Sequence, residues 1–330
     1  MQDIKAIIPA KDKWVSIVWQ VNDWCNFRCT YCSEWNWAGR NKNDKDIPLI
    51  VDTLERIMLH YKDRGYKYFK LFLSGGEPTH WAALIPVVEK FREIAEWPGS
   101  CVGINTNFSR PTSWWEEHHH LFEDVVASYH AEWSKDDKYI ATYKFLQDKK
   151  NYLCSRIMMH HDHFQQCVDF GNRIREECDN YMIEYAPVYD ELRPSTDPYH
   201  YDEQWQMDFF KENSTVQQQT IPVQKEPSYA WAKVWYEDDS QEPINTNAII
   251  TEGKNFFKGW LCNIHESLHI HPNGSIQQAS CGVGPIVGNI VKGEFNTTMT
   301  EGVWCPKQHC HCAADFNISK AKPEYAERIR

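Results

Sequence analysis

Three cysteines near the start of the chain, Cys25, Cys29 and Cys32, have the spacing of a metal-binding loop. They follow WVSIVWQVND, a run rich in β-branched and aromatic residues that predicts a strand. Three thiolates from one loop cannot complete a tetrahedral structural zinc site, which needs a fourth ligand. They can instead hold three irons of a cubane iron–sulfur cluster and leave the fourth iron open for chemistry. A zinc site with a distant fourth ligand is the alternative.

The composition of the chain indicates the cellular compartment and the redox state of these thiols. The chain has 330 residues, 12 of them cysteine, and a net charge of −11. Its first residues, MQDIKAIIPAKDKW, lack the apolar core of a secretion signal, and no stretch is apolar enough to span a membrane. We therefore expect a cytoplasmic protein whose thiols stay reduced and serve as ligands rather than as disulfides. The negative net charge argues against sequence-independent binding to nucleic acid.

Short β-rich runs alternate with amphipathic helical runs from residue 14 to about residue 190. In DIPLIVDTLERIMLHYKDRG, for example, apolar residues recur along one helical face at Ile50, Leu54, Ile57, Met58 and Tyr61. Such alternation predicts parallel βαβ units. Six repeats, with polar or glycine-bearing strand ends, predict an α/β fold: a partial (β/α)6 barrel of the TIM type with its active site at the carboxyl rim. A flat doubly wound sheet is the alternative, although no G-x-G-x-x-G follows the first strand.

The cysteine loop carries a family resemblance. The pattern C-x-x-x-C-x-aromatic-C, here Cys25, Cys29, Tyr31 and Cys32, resembles the motif of the radical S-adenosylmethionine (radical SAM) superfamily. The resemblance implies a [4Fe-4S] cluster whose open iron chelates the amino and carboxylate groups of S-adenosylmethionine. It also implies that reduction of the cluster cleaves this co-substrate to methionine and a 5′-deoxyadenosyl radical.

Later strand ends extend this resemblance. The loop LSGGEPTH looks like the motif that binds the methionine amino group in the family, with Ser74, Gly75, Gly76, Glu77 and Pro78 as its members. Glycines allow backbone carbonyls to approach an ammonium group, and a carboxylate offers it a charge-assisted partner. INTNF and ASYH end the third and fourth strands, where the family places ribose and carboxylate contacts, which selects Asn105, Asn107 and Ser128. Thr106 is expected to face away from Asn105 and Asn107, and His130 is a candidate proton donor or acceptor toward the substrate.

Five further cysteines lie in the last seventy residues: Cys262, Cys281, Cys305, Cys310 and Cys312. The segment GWLCNIHESLHIHPNGSIQQASCG contains a strong Asn-Gly hairpin signal and is similar to the opening of the SPASM and twitch extensions of the superfamily. Five thiols suffice for one auxiliary [4Fe-4S] cluster, so the resemblance implies a twitch-like domain. Which four of the five bind is left open, and a structural zinc site is the alternative.

These patterns predict three regions: a radical SAM barrel at 1–195, a connector with a helix and a β segment at 196–255, and a twitch-like iron–sulfur domain at 256–330. The implied function is hydrogen abstraction from a small-molecule or peptide substrate, assisted by the auxiliary cluster. An electron donor such as flavodoxin or ferredoxin is the expected partner. The first strand begins near residue 14, with no leader-binding domain before it, which favours a small molecule or a peptide bound without such a domain. Two alternatives remain: a peptide maturase that acts without a leader-binding domain, and a non-redox zinc-binding interaction protein.

Overall fold

The computed structural model describes residues 4–8, 14–32, 43–188, 201, 203–213, 217–218, 231–245, 249, 253–310, 315–316 and 318–329. Of the residues selected from the sequence, Cys312 lies outside these ranges. None of the described helices is long and apolar enough to cross a membrane.

The centre of the fold is a parallel sheet of six adjacent strands, in chain order. These are β2 (Trp14–Gln20), β3 (Tyr68–Ser74), β4 (Cys101–Thr106), β5 (Asp124–His130), β6 (Tyr152–Met159) and β7 (Met182–Pro187). The helices between them are α1 (Ile47–Asp63), α2 (Leu84–Ile94), α3 (Thr112–His118), α4 (Asp136–Leu146) and α5 (Phe164–Glu177). This arrangement confirms the predicted partial barrel of βα units, and it brings all six carboxyl strand ends to one rim.

Strand alternation separates the main core from the barrel interior. Residues such as Trp19, Leu71 and Ile104 are fully buried against the helices. Helix α1 contributes the five apolar residues predicted for its face, and all five are buried. Side chains at the intervening strand positions face the opposite side of the sheet, where the functional residues lie.

A second group of strands ties the two ends of the chain together. Strand β1 (Ile4–Ile8) pairs with β9 (Trp231–Tyr236) on one side and with β17 (Lys320–Ala321) on the other. The same sheet includes β10 (Gln241–Asn245), β11 (Leu261–Cys262) and β16 (Val303–Trp304). Residues 4–8, predicted as part of the barrel region, thus belong to a sheet with the connector and C-terminal strands.

The predicted C-terminal hairpin extends the barrel sheet. Strand β12 (Ser267–Ile270) pairs in parallel with β2 and antiparallel with β13 (Ser275–Gln278), and β14 (Ile286–Asn289) and β15 (Glu294–Phe295) follow. At the opposite edge, β8 (Gln217–Gln218) pairs with β7. The hairpin is confirmed, but its position differs from that of a separate small domain, because the free edge of β2 accepts it.

Helix α3 ends at His118, and a 3-10 turn, His119–Leu121, follows it before β5 begins. The connector contains a helix, as expected, at α6 (Gln204–Glu212). Glu203 and Gln206 form a capping box at the start of α6.

The packing of α1 makes a stability prediction. Ile57 is fully buried, so Ile57→Ala should reduce the free energy of unfolding by about 2–5 kcal/mol through lost burial and a residual cavity. Leu59 lies on the same helix with 44% exposure, and Leu59→Ala serves as the matched control. Urea denaturation of both variants measures the difference. Equal stabilities would contradict the assignment of the buried face.

Candidate active site and second cysteine site

The predicted barrel residues surround one cavity of about 230 Å³ at the carboxyl rim. Eleven of them lie in its wall: Cys25, Cys29, Tyr31, Cys32, Gly75, Gly76, Glu77, Asn105, Asn107, Ser128 and His130. Ser74 and Pro78 are not part of that wall; the carbonyl of Ser74 accepts a hydrogen bond from the Val21 amide at 2.8 Å, and Pro78 starts a buried 3-10 turn. The structure thus gathers residues from four strand ends that are far apart in sequence.

The glycine loop holds the segment that leads into the cysteine loop. The Gly76 amide donates to the Asn22 carbonyl at 3.0 Å, and the Glu77 amide donates to the Trp24 carbonyl at 2.9 Å. A Cβ on Gly76 would lie 1.9 Å from the Trp24 oxygen, and one on Gly75 would lie 2.5 Å from the Asn22 oxygen. Both positions therefore require glycine, because the two loops approach backbone to backbone.

Glu77 occupies the centre of a buried hydrogen-bond network. Its carboxylate accepts from the Thr79 amide at 3.0 Å, the Thr79 hydroxyl at 2.6 Å, the Thr106 hydroxyl at 2.8 Å and the Asn107 amide at 2.7 Å. These donors are all neutral, and burial raises the pKa of Glu77 above its ordinary value. A cationic group in the adjoining cavity would supply the charge partner that these donors do not.

The thiols of the first loop need a positive partner to ionise. Burial raises the pKa of Cys25 to about 12 and raises the pKa of Cys29 beyond the normal range of a thiol. Cys25 Sγ already accepts from the Phe27 amide at 3.3 Å, and the Asn107 side-chain amide lies 3.7 Å away. Iron would supply the positive charge that stabilises such thiolates. The donor set therefore fits an iron–sulfur cluster.

His130 lies against the cysteine loop. Its Nδ1 is hydrogen-bonded to the Tyr31 hydroxyl and lies 3.5 Å from Cys29 Sγ. Burial lowers the pKa of His130 to about 4, so the ring is neutral at physiological pH. These contacts place the histidine next to two residues of the motif, and both of them involve its Nδ1 atom.

Two polar contacts join strands at the rim, and one of them was not expected from the sequence. Asn105 accepts from the Ser128 hydroxyl at 3.0 Å, which joins two predicted residues across β4 and β5. Arg156, which sequence reasoning missed, lines the cavity and donates from Nε to Glu184 at 2.7 Å. The Glu184 carboxylate raises the pKa of Arg156 above its already high value. An arginine among buried residues of β6, at an interior-facing position, is the signal that would have found it.

A second cavity gathers cysteines of the C-terminal region. Cys262, Cys281, Cys305 and Cys310 line it together with apolar residues and the buried Lys320. It measures about 20 Å³, too little for an organic co-substrate. Burial raises the pKa of Cys262 and of Cys281, while Lys320 lowers the pKa of Cys262. Four thiols therefore line one small cavity together with the buried Lys320 and the buried Asp315.

A further group of three potential ligands is already hydrogen-bonded. Within the described ranges, only His160, His161 and Asp162 bring three ligand atoms of His, Cys, Asp or Glu within 4.8 Å of one another. His160 Nδ1 accepts from the Asp162 amide at 3.2 Å, and its Nε2 lies 3.0 Å from the Thr30 hydroxyl. Both ring nitrogens of His160 thus have protein partners.

The glycine contact generates a prediction. Gly76→Ala should force the Trp24 carbonyl away and displace the cysteine loop, at a cost of about 1–3 kcal/mol. Iron content after anaerobic reconstitution should fall at the first site. Gly253→Ala is the control, because open space surrounds its added methyl group, although its left-handed backbone costs about 1–2 kcal/mol. Full iron loading of the Gly76 variant would contradict the packing described here.

Comparison with known proteins adds a family match. Residues 19–128 match the family model described as the radical SAM superfamily. Among curated protein sequences, none matches this chain.

Solved structures with low sequence identity also align with the chain. They include anSMEcpe with bound AdoMet (14% identity, TM-score 0.48, covering 84% of this chain and 78% of that one). Another is Streptococcus suis SuiB bound to precursor peptide SuiA (15% identity, TM-score 0.44, covering 84% of this chain and 62% of that one). A third is coproporphyrinogen III oxidase (HemN) from Escherichia coli, a radical SAM enzyme (12% identity, TM-score 0.41, covering 61% of this chain and 52% of that one). The chain thus spans 62% of the SuiB chain and 52% of the HemN chain.

The matched residues 19–128 contain the end of β2, the three-cysteine loop, the glycine loop, strands β3 and β4, and β5 as far as Ser128. Over these residues, the chain is similar to the radical SAM superfamily.

Proposed function

We propose that the chain is an enzyme that binds a [4Fe-4S] cluster through Cys25, Cys29 and Cys32 and binds S-adenosylmethionine beside it. The main support is that these thiols share one cavity with Glu77 and with residues at the ends of β4 and β5. The three cysteines and Glu77 lie within the residues that match the family model. When bound, the cluster supplies the electron that cleaves S-adenosylmethionine to a 5′-deoxyadenosyl radical, which abstracts hydrogen from the substrate.

The buried carboxylate of Glu77 gives this cavity its preference for a cation. Because its protein donors are neutral hydroxyl and amide groups, an ammonium group of the co-substrate is a suitable charge partner. The backbone of Gly75 and Gly76 lies in the same wall and leaves room for close approach. Asn105 and Ser128 offer neutral hydrogen-bonding groups suited to hydroxyls, and the Arg156 guanidinium is suited to a carboxylate.

The same cavity would protect a reactive intermediate. Phe27, Tyr31 and Met158 contribute apolar surface next to the cysteines, which keeps water from the reacting carbon. The substrate in this proposal is a small molecule or a peptide. A precursor peptide is bound in the SuiB structure. Peptide maturation is the second form of the proposed reaction.

The C-terminal cysteines form the second part of the proposal. Cys262, Cys281, Cys305 and Cys310 are assigned as ligands of one auxiliary [4Fe-4S] cluster, since these four thiols line one small cavity. Four thiolate ligands leave no iron open, so this site is assigned to electron transfer and not to substrate binding. Its assistance in oxidation or bond formation is then electronic.

The described cysteine sulfurs are more widely spaced than the ligands of a bound zinc ion. Zinc–thiolate bonds of about 2.3 Å place tetrahedral sulfurs about 3.8 Å apart. No three described cysteines bring their sulfurs within 4.8 Å of one another.

Replacement of the first cysteines tests the enzyme directly. Reconstituted protein with dithionite and S-adenosylmethionine should yield 5′-deoxyadenosine, and C25A/C29A/C32A should abolish it while removing about four of about eight irons. Cys178→Ala is the control, because this buried cysteine lies at the end of α5. Unchanged 5′-deoxyadenosine formation by the triple variant would overturn the proposal.

A second set of replacements tests the auxiliary site. Cys262→Ala and Cys310→Ala should each lower iron toward about four per chain, because a cubane loses stability with a ligand missing. Cys312→Ala should leave iron near eight atoms, since four other thiols already converge. Iron and zinc are measured together by mass spectrometry. A colourless zinc-loaded protein contradicts the assignment.

A further inference from the structure

An exposed aromatic and basic face lies beside the four-cysteine cavity. It is built from two segments, KNFFKGW at 254–260 and VWCPKQHC at 303–310, which we call the lysine face. Backbone hydrogen bonds join the segments: the Gly259 amide donates to the Cys305 carbonyl at 2.8 Å, and the Cys310 amide donates to the Asn255 carbonyl at 2.9 Å. The two segments therefore form one continuous surface.

Large apolar side chains are exposed on this surface. Phe256 and Trp304 each have 51% exposure, and the Phe256 ring packs 4.3 Å from the ring of His309. Trp304 ends β16, an edge strand of the second sheet. Exposed aromatic residues grouped in this way are typical of protein-binding surfaces.

The charge of the lysine face is opposite to that of the whole chain. Its two segments hold Lys254, Lys258 and Lys307 and no acidic residue, whereas the chain carries a net charge of −11. Lys258 and Lys307 are exposed. A local positive surface on an acidic protein attracts and orients an acidic partner over long range.

The lysine face is also the part of the surface next to the second set of thiols. Cys305 lies between the exposed Trp304 and Pro306, and both Cys305 and Cys310 line the cavity while remaining partly exposed. A partner docked here is separated from those sulfurs by little protein. Encounters of electron carriers need only small contact areas, which this face can supply.

We propose that the lysine face binds an acidic electron-carrier protein, and that the oxidised carrier takes one electron from the reduced cluster of the four-cysteine site. This inference rests on the proposed auxiliary cluster. It assigns the partner by charge and by proximity to the thiols, and it locates docking on the C-terminal sheet instead of at the barrel rim.

Binding of flavodoxin, an acidic flavin protein, provides the test. Isothermal titration of reconstituted protein should show an affinity that falls as salt is raised. The double variant K258E/K307E should weaken binding about tenfold or more, and the milder K258Q/K307Q should weaken it less. Carbodiimide cross-links to flavodoxin carboxylates should map to Lys258 and Lys307. The matched control is K67E/K149E, two exposed lysines in the loops before β3 and β6.

Each outcome decides the proposal. Absence of flavodoxin binding, equal affinity in K258E/K307E, or cross-links at another surface overturns it, as does a dimer of the chain that buries the lysine face. Failure of the proposed function is seen separately: C25A/C29A/C32A should retain about four irons, and an iron-free triple variant rejects the auxiliary cluster whatever flavodoxin does.

Discussion

The backbone contact between the glycine loop and residues 22–24 is the constraint on which the barrel site depends. Two hydrogen bonds join the loops, and a Cβ on Gly76 would lie 1.9 Å from the Trp24 oxygen. The cysteine loop therefore leaves β2 along a path set by the end of β3. Glu77, the next residue, ties both loops to the end of β4 through Thr106 and Asn107. Three loops thus act as one preorganised unit, as a site for a reactive group requires.

The two cysteine sites solve the same electrostatic problem differently. At the rim, amide donors from Phe27 and Asn107 approach Cys25 Sγ, and the cavity is large enough for a co-substrate. In the second site, the buried Lys320 supplies a positive charge, and its ammonium group donates to backbone carbonyls of Asp315 and Ile318. The first arrangement leaves a large cavity beside the thiols, whereas the second leaves only a small one.

Sequence patterns predicted the barrel and most of the rim residues because parallel strand ends converge at one edge. Alternation predicted that Thr106 faces away from Asn105, but Thr106 lines the same cavity and donates a hydrogen bond to Glu77. The inward direction of the Glu77 carboxylate was not predictable, because it depends on donors from three separate positions in the chain. Arg156 was missed because its strand carries no motif. The attachment of the hairpin to β2 depends on an open sheet edge, which local sequence does not reveal.

The pairing of β12 with β2 and of β17 with β1 has a consequence for synthesis on the ribosome. Strand β2 leaves the exit tunnel roughly 250 residues before its partner does, and an unpaired edge is prone to association with other chains. The barrel helices can fold earlier, but the sheet that carries Cys262 cannot close until its last strand, β17, has been translated. The cluster proposed for the four-cysteine site would therefore be loaded only after β17 has been translated.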